Sequence, residues 1–567
     1  MSNIIGIDLG TTYSCVGIYE NNKVQIIPNS MGERNIPSIV CFKDNEIIVG
    51  KQAKKQIKNI ENVIYDSKRL IGRNFTDKEV QNDMKYYTFK LESDNNNKPK
   101  IIVTINNEKK SYSPEDISSI ILKQLKKSVE NYLGKEVKDV IITVPANFNN
   151  LQRKATFKAA ELAGLNLIRT INEPIAAAIA YGFDNLSNIE KNICVFDFGG
   201  GTLDVSILKL KNKDFKVLSN GGDSHLGGED IDNLLMKYCI DEFKNENSID
   251  ISNDQKALRR LKTHCEQLKI DLSEAKESEI NIDGLYKGID FSLKINRAKL
   301  EYLCKDLFNK CLKVLDNTIK ESGINKNEIN DLILVGGSSR IPKIQEMIEK
   351  YCGDKNIINK RINADEAVAI GATLLANKFP NDKKDLMTPM SVNIIDVLPH
   401  SLGIRTNGGK MDIILKKNTK LEDCKCTKMY TTSEDYIDTL RIKVYEGENK
   451  DDVDKNIPLK TYYFGLKENG LKGSVKVNVT FKVDENSILY ITAEEKGSNN
   501  QLNDKLDIKT EREKGKKNIP KQYQNDIRIN TKTIKNINSY PPPVAGNIKR
   551  SHTQDVNFEC SFFNFNY

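Results

Sequence analysis

One short pattern occurs twice in the chain and restricts the possible folds more than any other feature. The first copy is IDLGTT at residues 7–12, followed by the apolar run SCVGI at 14–18. The second is FDFGGGT at residues 196–202, followed by LDVSI at 203–207. Each copy predicts a strand that ends at an acidic residue, a turn of glycine and threonine, and a second strand. Two unrelated hairpins are the alternative, but the shared Asp-x-Gly favours two related half-domains that face each other across a cleft.

An α/β alternation surrounds both copies and extends to about residue 380. A helix is predicted to begin after Ser113, with Pro114 in its first turn and Asp116 completing a capping box. Gly134 follows the last apolar residue of this helix and is typical of a helix end. Short apolar strands are predicted at residues 4–8, 140–144, 193–197 and 332–335. The pattern predicts an α/β domain over residues 1–380.

The sequence changes in character after residue 380. Residues 381–395 begin with a polar run that contains Pro389, and they predict an interdomain linker. Residues 475–483 then alternate apolar and polar side chains, as in a half-buried strand. Further strands are predicted near 410–415, 438–446, 461–466, 487–493 and 504–509. Together they indicate an all-β sandwich over residues 396–510.

The segment 511–567 has a different composition again. It contains PPP at 541–543 and many Asn and Lys residues, without a sustained helical period. Ten basic and five acidic residues give it a net charge of +5. This composition predicts a largely disordered tail. A group of aromatic residues at 558–567 is available to dock elsewhere.

Charge and hydropathy exclude several classes of protein. The net charge of +8, from 86 basic and 78 acidic residues, is small and spread along the chain, so it favours a solvated surface over nucleic-acid binding. No run of about 18 apolar residues is present, and the first residues lack the pattern of a secretory signal. The eleven Cys residues lack the spacing of a zinc site, although Cys424 and Cys426 form a C-x-C pair. These features predict a cytoplasmic protein with buried, reduced thiols.

The two hairpin turns also indicate phosphate chemistry. Glycines let backbone N–H groups approach phosphate oxygens, and threonine hydroxyls add donors. Asp8 and Asp197, one beside each turn, are suited to hold the water shell of Mg²⁺. The sequence has no G-x-x-x-x-G-K-[ST] loop, which excludes a P-loop protein. A third turn at 335–342 could admit a nucleoside with Arg340 on the base, although such a turn is more often structural.

Eight segments of the chain resemble the signature blocks of the seventy-kilodalton heat-shock (DnaK-type) chaperone family. They occur in the family's order: GIDLGTTYS (6–14), DSKRLIGR (66–73), VPANFN (144–149), INEPIAAAIAYG (171–182), FDFGGGTLDVS (196–206), HLGGEDID (225–232), LVGGSSRIPKIQ (334–345) and DEAVAIGA (365–372). The resemblance implies an actin-like (ribonuclease H-like, duplicated) ATPase domain followed by a β-sandwich that binds peptides. Such a protein uses ATP and ADP, Mg²⁺ and K⁺.

The resemblance also implies roles for individual residues. The implied catalytic residues are Lys68, Glu173, Asp197 and Thr202, and the implied metal-binding residues are Asp8 and Asp197. The implied nucleotide-binding residues are Gly10, Thr11, Thr12, Tyr13, Gly199, Gly200, Gly201, Glu266, Lys269, Ser273, Gly336, Gly337, Ser338, Arg340 and Asp365. Lys68 would help to place the attacking water and the γ-phosphate, and Glu173 would orient Mg²⁺ and water. Ile270 stands where the family has a basic residue that stacks on adenine, so we expect weaker nucleotide binding.

Two further sets of residues match the family outside the catalytic cleft. Pro145 and Arg153 resemble a switch that couples the nucleotide state to the second domain. The implied peptide-binding residues are Ile404, Tyr430, Leu440, Ile442 and Ile488, each of which is also compatible with a simple core position. The linker stretch 392–395 is a diluted form of the family's leucine-rich docking signal. The helical lid that the family has after the sandwich is not recognisable here.

The expected partners follow from the same resemblance. They are unfolded or extended polypeptides, J-domain co-chaperones and nucleotide-exchange factors, with no nucleic acid and no membrane. Arg169 matches the J-domain surface, whereas Lys216 stands where an acidic residue is expected. The leading hypothesis is an ATP-dependent chaperone. The alternatives are a degenerate nucleotide- and peptide-binding scaffold with little turnover and, less favoured, a small-molecule kinase on an actin-like fold.

Overall fold

Both copies of the repeated sequence pattern form a β-hairpin inside a sheet. In the first hairpin, Asp8 lies opposite Cys15 on two antiparallel strands. In the second, Asp197 lies opposite Asp204 in the same way. The strand that ends in the aspartate also pairs in parallel with a later strand in both cases. The predicted duplication is therefore present in the backbone pairing.

The computed structural model describes residues 4–44, 46–56, 59–184, 189–379, 392–468 and 470–505. It divides into two units, Met1–Pro399 and His400–Tyr567, and each is described by itself. The strands of the first unit are β1 (Ile5–Leu9), β2 (Tyr13–Glu20), β3 (Lys23–Ile26), β4 (Ile36–Pro37), β5 (Val40–Lys43), β6 (Glu46–Val49), β7 (Val63–Ile64), β8 (Lys90–Ser93), β9 (Pro99–Ile105), β10 (Glu108–Tyr112), β11 (Asp139–Val144), β12 (Asn166–Asn172), β13 (Lys191–Phe198), β14 (Leu203–Lys211), β15 (Asp214–Asp223), β16 (Glu277–Tyr286), β17 (Ile289–Asn296), β18 (Asp331–Val335), β19 (Ile358–Asn359) and β20 (Asn393–Ile395). Its helices are α1 (Lys51–Lys54), α2 (Lys78–Asp83), α3 (Pro114–Leu133), α4 (Asn150–Leu162), α5 (Glu173–Asp184), α6 (Gly228–Asn247), α7 (Gln255–Glu274), α8 (Arg297–Leu303), α9 (Lys305–Ser322), α10 (Pro342–Cys352) and α11 (Ala367–Ala376).

Two mixed six-stranded sheets contain the duplicated hairpins. One has the order β12-β11-β1-β2-β3, with β4 paired to β2, and the other has the order β19-β18-β13-β14-β15-β20. In both sheets the first strand of the hairpin lies between a parallel neighbour and its antiparallel partner. Because the carboxyl end of that strand carries the aspartate, this topology places Asp8 and Asp197 at equivalent edges of the two sheets.

The predicted capping box is confirmed at the start of α3. The Ser113 hydroxyl accepts a hydrogen bond from the Asp116 backbone N–H at 3.2 Å, and the Asp116 carboxylate accepts one from the Ser113 N–H at 2.8 Å. Gly134 ends the helix in the left-handed region at φ 66°. Both ends agree with the prediction because each depends only on residues within one turn.

The second unit consists of β-strands in its described part, as its alternating sequence indicates. The strands are β21 (Leu402–Arg405), β22 (Met411–Leu415), β23 (Lys425–Thr431), β24 (Thr439–Glu446), β25 (Ile457–Gly465), β26 (Lys476–Val483), β27 (Leu489–Glu495) and β28 (Gln501–Lys505). They form two four-stranded sheets in the orders β22-β21-β24-β25 and β23-β26-β27-β28. The sequence did not predict β23, since only Tyr430 is buried along it and its polar residues lie on both faces.

The predicted linker and tail lie largely outside the described residues, at 380–391 and 506–567. Where the chain is described again, β20 pairs in parallel with residues 214–216 of β15. No helix of the described part is long and apolar enough to cross a membrane. Of the ten described cysteines, all are free and all except Cys426 are buried, which agrees with the predicted reduced thiols.

Candidate active site

The turns of the two hairpins meet in a cleft of about 380 Å³. A Cβ atom at Gly200 would overlap the Oγ1 atom of Thr12, and one at Gly201 would lie 2.6 Å from the Oγ1 atom of Thr11. Glycine is therefore required for the two turns to approach each other. The Thr12 hydroxyl is buried and has no hydrogen-bond partner among the described residues. A buried donor of this kind fits a ligand that is rich in oxygen atoms.

Helix α6 begins directly on the second turn. The backbone N–H groups of Gly228 and Glu229 donate to the carbonyl oxygens of Gly199 and Gly200 at 3.0 and 2.8 Å. The turn itself is closed by a 3.0 Å hydrogen bond from the Gly199 N–H to the Thr202 carbonyl oxygen. These bonds fix the glycine backbone in place, with Thr202 lining the cleft.

A buried ion pair lies in the same cleft. The Nζ atom of Lys68 is 2.6 Å from the Oε1 atom of Glu173, and the two side chains are only 8% and 9% exposed. Lys68 lies on the single helical turn Ser67–Arg69, and Glu173 is the first residue of α5. The Lys68 ammonium also lies 5.6 Å from the centre of the Phe148 ring. A cation and a carboxylate are thus held together where burial strengthens their electrostatic effect on any ligand.

Three aspartates in or beside the cleft give it an excess of acidic groups. Burial, reinforced by Glu173, raises the pKa of Asp8 to about 7, although Thr143 donates a 3.1 Å hydrogen bond to its carboxylate. Burial and the charges of Glu173 and Asp204 raise the pKa of Asp197 well above its ordinary value. Burial and Glu173 raise the pKa of Asp204 to about 7. A cation would relieve this repulsion, but the described residues contain no cluster of three or more acidic, His or Cys side chains placed to hold a metal ion directly, so a metal would be held through its water shell.

Helix α7 forms another wall of the cleft, through Glu266, Lys269 and Ile270. Lys54 lies 2.6 Å from Glu266, and the Tyr13 hydroxyl donates to the same carboxylate at 3.2 Å. Lys269 is paired with Asp232 at 2.7 Å. The pair from Lys54 to Glu266 connects α1 to α7, and Glu266 lines the cleft.

The turn at residues 336–340 completes the lining. Gly336 adopts φ 77°, and a Cβ atom there would lie 2.5 Å from the Phe198 carbonyl oxygen, so only glycine fits. The Ser338 hydroxyl donates to the Gly199 carbonyl oxygen at 2.9 Å. Arg340 is held by Asp365 at 2.6 Å. Ile270, which faces the same cleft, is 45% exposed.

The structure brings nearly all the sequence-predicted cleft residues together. Those that line the cleft are Asp8, Gly10, Thr11, Thr12, Tyr13, Lys68, Glu173, Asp197, Gly199, Gly200, Thr202, Glu266, Lys269, Gly336, Gly337, Ser338, Arg340 and Asp365. Gly201 and Ser273 are not among the lining residues. Gly201 packs against Thr11, and the Ser273 hydroxyl donates to the Lys269 carbonyl oxygen. Asp204, Glu229 and Asp232 were not predicted, although all three lie inside or beside the blocks that pointed to the cleft.

A sequence model of the family described as Hsp70 protein matches residues 4–539. The chain belongs to the Hsp70 family. Heat shock cognate 70 kDa protein 3 of Dictyostelium discoideum is 46% identical over 496 residues, which cover 87% of this chain and 78% of that protein. A heat shock 70 kDa protein of Neurospora crassa is 45% identical over 499 residues, covering 88% and 76% of the two chains. The function of the present chain is accordingly that of an Hsp70 chaperone.

The two residues that resemble the Hsp70 switch lie beside the cleft. Arg153 is buried, and its guanidinium donates to the carbonyl oxygens of Phe148 and Ala146, both at 3.0 Å. It also donates to the Asn172 side chain at 2.9 Å. Pro145 follows β11 directly and accepts a backbone hydrogen bond from the Phe148 N–H at 3.1 Å. Arg153 therefore fixes both the loop that follows Pro145 and the residue that precedes Glu173.

The residues that resemble the Hsp70 peptide groove are all buried in the second unit. The exposed fraction is zero for Ile404, Tyr430, Leu440 and Ile442, and 3% for Ile488. The Tyr430 hydroxyl donates to Asp412 at 2.6 Å, which satisfies its polar group in a buried position. Burial of this degree is compatible with either a covered groove or a core position.

Proposed function

We propose that this Hsp70 protein hydrolyses ATP in the cleft and uses the hydrolysis to control its affinity for extended apolar segments of unfolded polypeptides. The observation that carries the proposal is the buried pair of Lys68 and Glu173, held at 2.6 Å opposite two glycine turns. An isolated surface pair of this kind would have little chemical meaning. A buried pair at the meeting point of two phosphate-type turns supports phosphoryl transfer, which depends on positioning and electrostatic stabilisation.

The lining residues suit a nucleotide with Mg²⁺. The backbone N–H groups of Gly200 and Gly201 and the hydroxyls of Thr11 and Thr12 are suited to hold the phosphates. Asp8 and Asp197 would hold Mg²⁺ through its water shell, and Asp204, whose Oδ2 atom is buried without a partner in the described residues, would bind K⁺. Mg²⁺ supplies charge neutralisation between the phosphate oxygens when it is bound.

Each catalytic residue has a role that its position supports. Lys68 would place a positive charge beside the γ-phosphate and orient the attacking water. Glu173 would keep Lys68 in position and accept a hydrogen bond from that water. Thr202 lies in the wall of the cleft, where its hydroxyl would contact the γ-phosphate. Burial of all three reduces competition from bulk water.

The nucleoside would lie between α7 and the turn at 336–340. Glu266, Lys269 and Ser273 lie on α7, while Arg340 is oriented by Asp365. Ile270 would offer the base an apolar face on the α7 side. Of the residues that line the cleft, only Arg340, on the side opposite α7, would then stack a cationic group on the base.

We further propose the finer architecture and the domain boundaries. The duplicated sheets support an actin-like ATPase domain at 1–380, and the two four-stranded sheets support a peptide-binding sandwich at 396–510. The intervening segment 381–395 would serve as the linker, and residues 511–567 as a tail in place of a lid. Ile404, Tyr430, Leu440, Ile442 and Ile488 would contact the peptide.

J-domain co-chaperones and nucleotide-exchange factors are the proposed protein partners, in the cytoplasm. Arg169 supports the J-domain interaction because it lies on β12, four residues before Glu173. Its charge reaches Asp396, which directly follows the proposed linker: burial raises the pKa of Asp396, and the charge of Arg169 partly opposes that rise. A J-domain that binds near Arg169 would thus act on both the cleft and the linker.

The test is steady-state ATP turnover by the full chain, with and without an extended apolar peptide. Wild-type protein is expected to show slow turnover that the peptide accelerates. Lys68→Ala should lose about 100-fold or more in turnover, because it removes a charge that stabilises the transferring phosphoryl group. The matched control is Lys43→Ala, which alters an exposed lysine of β5.

Three results are informative. Peptide-accelerated turnover that Lys68→Ala abolishes supports the whole proposal. Turnover without any response to peptide supports the ATPase and contradicts its coupling to the second unit. Turnover that is the same in Lys68→Ala and in wild type contradicts the assigned mechanism and favours the scaffold without catalysis.

A further inference from the structure

The helical turn that carries Lys68 has a buried charged residue at each end. Asp66 immediately precedes the turn Ser67–Arg69, and Arg69 ends it. The side chain of Asp66 is 6% exposed and that of Arg69 is 2% exposed. Because buried charges need partners, the contacts of these two residues decide where the turn is held.

The guanidinium of Arg69 forms a two-pronged contact with Asp230 of α6. Its two terminal nitrogens donate to the two carboxylate oxygens of Asp230 at 3.1 and 2.5 Å, across 161 residues of sequence. One of these nitrogens also lies 3.5 Å from the Gly201 carbonyl oxygen. A planar guanidinium can make such parallel bonds, whereas the ammonium of a lysine cannot. Arg69 is thus joined to the start of α6 and lies against the second glycine turn.

Asp230 lies in the first turn of α6, which holds the second glycine turn in place. Its carboxylate also accepts a hydrogen bond from the Gly227 backbone N–H at 2.7 Å. The same end of the helix donates backbone N–H groups to the carbonyl oxygens of Gly199 and Gly200. The contact from Arg69 to Asp230 therefore reaches the backbone of the glycine turn through α6.

The other end of the Lys68 turn is held by a second buried ion pair. Asp66 lies 3.1 Å from Lys262 of α7, and Lys262 is also paired with Glu229 of α6. Asp66 adopts φ 56°, in the left-handed region that Asp tolerates better than most residues other than glycine. The backbone on both sides of Lys68 is therefore held by residues of α6 and α7.

These contacts place Arg69 between two groups that would surround the γ-phosphate, namely Lys68 and the second glycine turn. We propose that Arg69 is a positioning residue for phosphoryl transfer, which keeps these two groups aligned across the cleft. This role presupposes the ATP hydrolysis proposed for the cleft. Arg69 is not among the described residues that line the cleft, so it acts through its neighbours rather than on the nucleotide. Its loss should slow the chemical step more than it weakens nucleotide binding.

Single-turnover hydrolysis of ATP by the full chain tests this role. Arg69→Lys keeps the positive charge but loses the two-pronged contact, and Asp230→Asn keeps the size of the partner but loses its charge. Each should slow hydrolysis by about tenfold or more, since a small misplacement of a reacting group can cost about 100-fold in rate. The affinity for ADP, which lacks the γ-phosphate, should change by less than about twofold in titration calorimetry.

Arg260→Lys is the matched control for the loss of a guanidinium. Arg260 also makes a two-pronged contact, to the carbonyl oxygens of Asp283 and Gly284 at 2.7 and 2.8 Å. It lies on α7 but is not among the described residues that line the cleft. Hydrolysis by this variant should match the wild-type rate.

The double variant shows whether Arg69 and Asp230 act together. Combining Arg69→Lys with Asp230→Asn should slow hydrolysis little more than either change alone, because both remove the same contact. Effects that multiply would show that the two residues act independently and would overturn the proposal.

The remaining outcomes separate the positioning role from the ATPase itself. Wild-type rates in Arg69→Lys and Asp230→Asn, with hydrolysis lost in Lys68→Ala, would overturn the positioning role and leave the ATPase standing. An affinity for ADP that falls as far as the rate, together with a lower melting temperature, would show a merely structural role and would also contradict the proposal. Wild-type turnover no faster than that of Lys68→Ala would overturn both.

Discussion

The side-chain amide of Asn172 donates a 2.9 Å hydrogen bond to the carboxylate of Asp396. The oxygen of the same amide accepts a 2.9 Å hydrogen bond from Arg153. Asn172 immediately precedes Glu173, the carboxylate paired with Lys68. A chain of direct contacts therefore joins the residues that follow the linker to the buried ion pair of the cleft.

We predict that Asp396→Ala uncouples peptide binding from ATP turnover. The substitution removes the acceptor of the Asn172 amide but leaves the cleft intact, so basal turnover should stay unchanged. Coupling free energies between sites of about 1–3 kcal/mol correspond to factors of roughly 5 to 150. We therefore expect the substitution to reduce the stimulation of turnover by peptide by a factor within that range. Parallel turnover assays with and without peptide measure it. Asp214→Ala, which alters an exposed residue at the start of β15, is the control. Full stimulation of Asp396→Ala would contradict the coupling route.

Glu173→Gln should lower ATP turnover by about 100-fold or more, a typical contribution of a positioned acid–base group. The amide keeps the size of the side chain but cannot compensate the charge of buried Lys68. Single-turnover hydrolysis measures the effect on the chemical step. The control is Glu190→Gln, which alters a half-exposed carboxylate that forms a surface ion pair with Lys209. Unchanged hydrolysis in Glu173→Gln would show that the pair is structural.

Ile270→Arg should tighten ADP binding by about two- to fivefold. An arginine at this position could stack on the base from the α7 side, and a cation–π contact at an exposed site contributes about 0.5–1 kcal/mol. Ile270→Gln separates the effect of charge from that of chain length and should leave the affinity nearly unchanged. Titration calorimetry gives both affinities. An unchanged affinity in Ile270→Arg would refute the idea that Ile270 weakens the pocket.

Mg²⁺ binding to the nucleotide complex should depend on pH through Asp8. Burial and Glu173 raise the pKa of Asp8 to about 7, so its carboxylate is mostly protonated below that pH. The affinity for Mg²⁺ should therefore rise between about pH 6 and about pH 8, with release of a proton on binding. Without ligand, the same raised pKa makes the folded protein less stable as pH rises from about 4 to about 7, because the unfolded carboxyl ionises first.

Calorimetric titrations of Mg²⁺ in two buffers of different ionisation enthalpy measure this proton release. Asp8→Asn is the matched variant, and its remaining affinity should no longer vary with pH in this range. A proton release of zero in wild type, with the same affinity at both ends of the range, would contradict the prediction.

Local sequence patterns predicted those parts of the fold that depend on neighbouring residues. The capping box of Ser113 and Asp116 formed as expected because its partners are three residues apart. The strand Lys476–Val483 buries Val477, Val479 and Phe481 as its alternation indicates. Strand β23 was not predicted, since its place in the sheet comes from pairing with β26 rather than from its own pattern.

The sequence by itself determined the duplicated hairpin, the family and most of the residues that line the cleft. Tertiary structure alone decided that Lys68 and Glu173, which are 105 residues apart, meet at 2.6 Å, and that Asp204 and Asp232 join them. It also decided the raised pKa of Asp8 and the pairing of residues 393–395 with β15. The physical reason is that turns and caps are set by backbone geometry within a few residues. Burial, ion pairing and pKa depend instead on which distant segments pack together and exclude water.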